Sequence, residues 1–240
     1  ELARNSRAKL MVDASQTLGY IPIDVTTTGI AVLAAAGHKG LRALAGTGLL
    51  MVERSLQSQL RPLMFGGTGL ASEQLADGQA WPQSVEVGNL NLPGVVSLAV
   101  AAQEWNHQTR EAGEATFDAW KQPLLQLAVG LQALPGVRLI GWETIDLQPL
   151  DNAVSASASA LGKRIPVISL HVEGWDVHDL ANILDTSFGI EARAGWHCAA
   201  LVHAPLGTAS QGGTLRLSPS GSTTPEDIAA TLAAFREILS

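Results

Sequence analysis

The chain has 240 residues, of which 46% are hydrophobic and 15% charged, enough apolar material for a packed core and no long tract polar enough to read as disordered. A formal net charge of −7 argues against a nucleic-acid-binding surface and for a soluble protein. The longest apolar stretch, around Gly29 to Gly37, is far too short to cross a bilayer.

Leu2 to Lys9 reads as polar and helix-like, followed by a buried strand over Leu10-Met-Val12 that ends at Asp13. Ile30 to Ala34 reads as a second strand closing at Gly37-His-Lys-Gly40, and Leu49 to Val52 as a third after a Gly-Thr-Gly turn. From about Gly94 to Gly136 the pattern is helical, interrupted near Glu111-Ala-Gly-Glu114 and stopped by Pro135-Gly136. Val137 to Ile140 and Ile165 to Val172 read as strands. Asp176 caps a helix with Val177, Leu180 and Leu184 on one face, ended by Gly189. Ile190 to Arg193 and Thr214 to Ser218 read as short strands. The last helix opens with Thr224 as cap, Pro225 in the first turn and Asp227 three residues on. It buries Ile228, Leu232, Phe235 and Leu239. Strands alternating with helices make this an α/β chain. The domain boundary is expected within 105–115, dividing the chain into 1–110 and 111–240.

Cys198 is the single cysteine, so it packs, binds metal or reacts as a thiolate; it cannot form an internal disulfide. One thiol and no visible secretory signal suit a cytoplasmic protein. The chain opens on Glu1 rather than Met and reads as the continuation of a longer one. Lys39 follows an apolar strand and precedes Gly40, a setting for a nucleophilic amine or for an ordinary lysine reaching to water. Asp13 closes a strand with Gln16 three residues further on. At the carboxyl edge of an α/β sheet such residues meet ligands, or Asp13 simply caps the next segment. In Thr214 to Ser218 the alternation sends Arg216 to the side opposite Leu215 and Leu217, where a guanidinium suits bidentate carboxylate binding or is a surface charge. A zinc site from His197, Cys198 and His203 lacks a convincing fourth ligand and the usual spacing, so no metal is expected.

Asp13-Ala-Ser-Gln16, Gly37-His-Lys39-Gly, Phe65-Gly-Gly-Thr-Gly69, Glu86-Val-Gly-Asn-Leu-Asn91, Arg193-Ala-Gly-Trp-His-Cys198-Ala and Gly213-Thr-Leu-Arg216-Leu-Ser follow one another in that order. The series resembles the motifs of the class V aminotransferase fold, in particular of cysteine desulfurase-like proteins. The likeness covers essentially the whole chain but only the later portion of such a protein. It implies a fold-type I pyridoxal phosphate-dependent transferase: part of a large domain with a mixed sheet, then a smaller C-terminal α/β domain carrying the Cys198 loop.

Residue by residue, the resemblance implies that Lys39 binds pyridoxal 5'-phosphate covalently and moves protons at the substrate α-carbon. His38 stands beside it as a catalytic and phosphate-contacting residue. Asp13 would pair with the pyridine nitrogen and Gln16 with the ring hydroxyl, while Thr68 and Asn89 would join the phosphate site. Arg216, Arg193 and Asn91 would hold the substrate carboxylate. Cys198 would take sulfur from L-cysteine as a persulfide, releasing L-alanine. The family is dimeric, so a homodimer is implied, with a sulfur-acceptor protein as a candidate partner and neither nucleic acid nor membrane. Another class V reaction (aminotransferase or selenocysteine lyase) and a catalytically incomplete homologue are the alternatives. Three positions depart from the family pattern: Ala36 replaces a Ser or Thr, Ala43-Leu44 a Gly-Pro pair, and Asn89 a Thr.

Overall fold

The computed structural model describes residues 3, 5–6, 8–64, 81–113, 118–142, 161 and 164–240. The chain divides into two units, Glu1–Glu114 and Ala115–Ser240.

In the first unit, β1 (Leu10–Asp13) lies parallel to β2 (Ile30–Ala36), and β2 pairs antiparallel with β3 (Gly48–Val52), giving a mixed sheet in the order β1-β2-β3. Alternate residues face opposite sides of a strand, so Val12, Leu33, Ala35, Leu49 and Met51 share one side. There they close a small core with Ala14, Leu18, Ile23, Val25 and Ile30. The crossover contains the one-turn α1 (Val25–Thr28), whose first N–H groups are taken by Asp24 and which Gly29 ends in the left-handed conformation. After β3 come the short α2 (Arg54–Gln57) and the long α3 (Leu92–Ala112). Asn91 caps α3, accepting from the Gly94 N–H at 3.2 Å. Among the described residues of the segment expected to begin with a helix, Ser6 N–H donates to the Ala3 carbonyl in a turn, and the chain is non-helical by Ala8.

The second unit opens with α4 (Lys121–Gln132) and builds an antiparallel sheet from β4 (Val137–Leu139), β5 (Ile168–Val172), β6 (Arg193–Gly195) and β7 (Thr214–Leu217), in the order β4-β5-β7-β6. Helices α5 (Val177–Phe188) and α7 (Pro225–Ile238) complete the layer. Leu124, Leu131, Ile168, Leu170, Leu180, Leu184, Leu215 and Phe235 are almost fully withdrawn from water. On α7, Ile228 and Phe235 are buried, while Leu232 and Leu239 are half-buried. Thr224 and Asp227 form the reciprocal capping box that their spacing predicts.

Two strand expectations need correction. The strand expected from Ile165 begins at Ile168, because Pro166 has no N–H to give a ladder and the Val167 N–H turns back to the Ile165 carbonyl at 2.7 Å. The strand expected at Ile190–Arg193 begins only at Arg193. Gly189 and Ile190 donate to Asp185 and Leu184 in a six-to-one cap, so the chain is still leaving α5 there. The short helices α1 and α2 were not expected, nor was α6 (Ala200–Leu206), which has no polar cap and contains Pro205.

Candidate active site

Asp13 is the last residue of β1 and pairs in register with Ala34 of β2. Two residues later β2 ends, and the chain enters Gly37-His-Lys-Gly40. Asp13 and Lys39 therefore stand at the carboxyl ends of adjacent parallel strands, the edge at which open α/β sheets receive ligands. The turn after β1 is fixed by Ala14 N–H to Ala34 (2.7 Å) and by Thr17 and Leu18 N–H to Ala14 (3.0 and 2.9 Å). Gln16 sits exposed within it.

The Lys39 loop is shaped almost wholly by backbone. Gly37 N–H donates to Thr47, Ala43 N–H to Gly37 and Arg42 N–H to Lys39, each at 2.9 Å. Gly40 lies directly against Gly19: a Cβ on Gly40 would run into the Leu18 carbonyl oxygen, and one on Gly19 into the Gly40 carbonyl group. This contact between glycines seats the Lys39 loop on the turn carrying Gln16. Lys39 is half-buried, while His38 is exposed.

Asp13 Oδ1 accepts from the Ser15 N–H at 2.9 Å. The Ser15 hydroxyl and N–H hold its carboxyl below the ordinary range, and the Lys39 charge adds to the effect. A carboxylate kept ionised can hold a protonated ring nitrogen, and a nearby amine can hold an aldehyde. The donor set thus fits the cofactor implied by the sequence. Asn89 is exposed in the turn before α3, and Asn91 spends its side-chain oxygen on capping. Thr68 and the Phe65–Gly69 loop lie outside the described residues. Two residues not singled out by sequence tie this half together. Thr47 Oγ1 donates to the Leu44 carbonyl at 2.7 Å, and its side chain fills the space beside Gly37 and Gly94. Ser97 Oγ of α3 accepts from the Leu44 N–H at 2.9 Å.

In the second unit, Arg193, Cys198 and Arg216 come together. Arg193 of β6 is paired in register with Arg216 of β7, so both side chains leave the same face. Burial and the Arg193 charge lower the Arg216 pKa, and Cys198 acts in the opposite direction, so the sulfur lies within the guanidinium's field. Arg216 Nε is buried without a hydrogen-bond partner among the described residues. Such a donor wants an anion.

Cys198 is exposed, which overturns packing as its role. It occupies a tight turn in which the Ala199 N–H donates to the Trp196 carbonyl at 2.8 Å. Both central residues have positive φ, 48° at His197 and 61° at Cys198. Non-glycine residues held there cost about 1–3 kcal/mol each, so neighbouring contacts must offset the strain. His197 Nε2 lies 2.8 Å from the Thr214 carbonyl; since a carbonyl only accepts, this nitrogen carries the proton. Burial pushes the His197 pKa down, and the charges of Arg216, Arg193 and His203 push it the same way, against the Thr214 bond. Sequence gave no signal for Thr208, which is completely buried and bonded to His203. Among the described residues, no group of three His, Cys, Asp or Glu side chains is placed to hold a metal ion.

An acid and an amine at neighbouring parallel-strand ends, followed by a second α/β unit with a cysteine turn and paired arginines, define a fold-type I transferase architecture. The family model for aminotransferase class-V matches residues 1–231, and the chain belongs to that family. A protein described as "Probable cysteine desulfurase" from Methanothermobacter thermautotrophicus is 29% identical over 234 residues, covering 95% of this chain and 52% of that relative. A cysteine desulfurase of Escherichia coli O157:H7 is 27% identical over 202 residues, 82% of this chain and 44% of the relative. The chain thus spans about half the length of the curated relatives it matches. Among solved structures, the apo cysteine desulfurase of Thermococcus onnurineus NA1 superposes with a TM-score of 0.77 at 26% identity, over 99% of this chain and 54% of that one. The S-sulfonic acid form of the Escherichia coli cysteine desulfurase CsdA gives 0.74 at 28% identity, over 100% of this chain and 54% of that one.

Proposed function

We propose that this chain is the later portion of a pyridoxal 5'-phosphate-dependent cysteine desulfurase. Residues 1–110 would belong to its large cofactor-binding domain and 111–240 to its small domain. The observation that carries this reading is Cys198: an exposed thiol on a strained turn, within the field of Arg216 and in the same unit as Arg193. A cysteine kept only for packing has no use for such a setting.

When bound, the cofactor supplies an electron sink for the bond changes at the substrate α-carbon. Lys39 would hold it through its amine and move protons at that carbon, with His38 beside it. Asp13 would keep the ring nitrogen protonated, and Gln16 would donate to the ring hydroxyl. His38, Thr68 and Asn89 would meet the phosphate. Arg216, with Arg193 and Asn91, would hold the carboxylate of L-cysteine. The Cys198 thiolate would attack the substrate sulfur. The sulfur–sulfur bond forms as the carbon–sulfur bond breaks, and the electron pair left on carbon takes up a proton. The products are L-alanine and one persulfide on Cys198, so no outside oxidant or reductant is required. The same reading takes the protein to be a cytoplasmic homodimer that passes sulfur to an acceptor protein. No helix among the described residues is long and apolar enough to cross a membrane.

The test uses the full-length protein purified with pyridoxal phosphate. Borohydride should fix the cofactor on Lys39, detected by peptide mass, and L-cysteine should yield alanine. Cys198→Ala should abolish that yield while leaving bound cofactor intact. Unchanged alanine release would move the protein to a class V reaction without a thiol acceptor. Selenocysteine is assayed in parallel to recognise a lyase, and absence of bound cofactor would indicate a catalytically incomplete homologue.

A further inference from the structure

His203 is buried, with 3% of its surface exposed, yet both ring nitrogens are engaged inside the Cys198 loop. Nε2 lies 3.1 Å from the Trp196 carbonyl, the first residue of the turn that presents Cys198. A carbonyl cannot donate, so the Nε2 proton belongs to His203. Nδ1 then accepts from the Thr208 hydroxyl at 2.8 Å. The same Trp196 carbonyl accepts from the Ala199 N–H that closes the turn. The Trp196 and His203 rings meet edge to face at 5.1 Å. Thr208 is anchored in its turn, its N–H on the His203 carbonyl and its own carbonyl on the Gly213 N–H, both at 3.0 Å.

We propose that His203 is a positioning residue for sulfur transfer: in the tautomer that the Trp196 carbonyl selects, and with its ring held in place by Thr208, it clamps that carbonyl and so holds the strained His197–Cys198 turn in the orientation that presents the thiol. His203 touches neither substrate nor cofactor in this role and acts through the turn alone. The inference rests on the reading of Cys198 as the sulfur acceptor. It adds a reason why two consecutive non-glycine residues keep positive φ there, a conformation that glycine and asparagine adopt far more readily.

The test compares His203→Ala, His203→Gln, Thr208→Val and Thr208→Ser in full-length holoenzyme. Three quantities are read: persulfide formed on Cys198 in a single turnover with L-cysteine, KM for L-cysteine, and the rate of Cys198 alkylation by iodoacetamide followed by peptide mass. His203→Ala should slow persulfide formation about 10- to 100-fold, the range for a reacting group displaced by an ångström or so. KM and alkylation should stay within about twofold of wild type, because the thiol remains exposed and only its placement is lost. His203→Gln, which can still donate to Trp196, should recover most of the rate. Thr208→Val should lose rate and Thr208→Ser retain it. If His203→Ala does not fold, the Thr208 pair decides. Persulfide formation at the wild-type rate in His203→Ala or Thr208→Val overturns the inference, as does an equal fall in alkylation. Cys198→Ala is run alongside: continued alanine release in that variant refutes the sulfur-acceptor reading itself, which separates the two failures.

Discussion

Lys39 stands in a loop shaped by backbone hydrogen bonds and a contact between glycines, whereas Cys198 stands in a turn tied down by two buried side chains, His203 and Thr208. The first arrangement leaves polar residues near solvent: Asp13, Gln16 and His38 are exposed, and their positions follow from where two parallel strands end. The second puts a positive-φ cysteine on the surface and the means of holding it underneath. On the proposed reading, the contrast matches two chemical tasks. Residues around a bound cofactor gain rigidity from that cofactor, while a thiol that must reach a substrate and then be reached by an acceptor needs an exposed mount that is rigid by itself.

The largest expected effects separate the tasks. Lys39→Ala in the full-length protein should remove both covalently held cofactor and alanine release, while Cys198→Ala should remove alanine release alone. Visible absorbance of the lysine-bound cofactor and an amino-acid assay read the two outcomes. Next comes Arg216→Lys, which keeps the charge but loses the planar fork; KM for L-cysteine should rise about 10- to 150-fold with cofactor binding unchanged. An unaltered KM would take Arg216 out of substrate binding.

Backbone contacts supply the next pair. Gly40→Ala would push a methyl into the Leu18 carbonyl, and Gly213→Ala, at a φ of 110°, into the Gly195 carbonyl. Each should cost about 1–3 kcal/mol, a fall in Tm of a few degrees or more by calorimetry. Gly40→Ala should in addition weaken cofactor binding, and Gly213→Ala should instead slow persulfide formation.

The smallest effect concerns acid. In the second unit burial holds His171 and His197 below the ordinary histidine pKa. The unfolded chain therefore takes up protons at about pH 6.5 before the folded one does, and stability is lost as pH falls below that value until the folded groups titrate. In the first unit the lowered groups are carboxylates: Asp13 and Asp24, held by hydrogen bonds from Ser15 and from Thr27 and Thr26, and Glu53, held by Ser55 and Lys9. Their contribution is present above about pH 4 and disappears as pH falls through their folded values. Hydrogen exchange at pH 7.5 and about 5.5 should show protection falling first in the second unit, and His171→Leu should reduce that difference.

Much of the framework was legible in the chain because its signals are local. Three strands of the first unit, the Asp176–Gly189 helix and the capping box at Thr224 announce themselves through alternation and end residues, which depend only on near neighbours. The helix Ala200–Leu206 was illegible because nothing local favours it: no cap, and a proline inside. For the candidate site, sequence order and motif resemblance put forward Asp13, Lys39, Cys198 and Arg216. They could not show that Thr47 wedges between Gly37 and Gly94, or that Thr208 fixes the His203 ring.

Sequence by itself thus determined which side chains are available for chemistry and which strands carry them, since residue type and spacing are properties of the chain. Only the tertiary structure decided that Arg193 faces Arg216 across two strands, that Cys198 is exposed rather than packed, and that its turn is held from below by a histidine. Each of those facts depends on register and burial, which arise when residues distant in the chain compete for the same space.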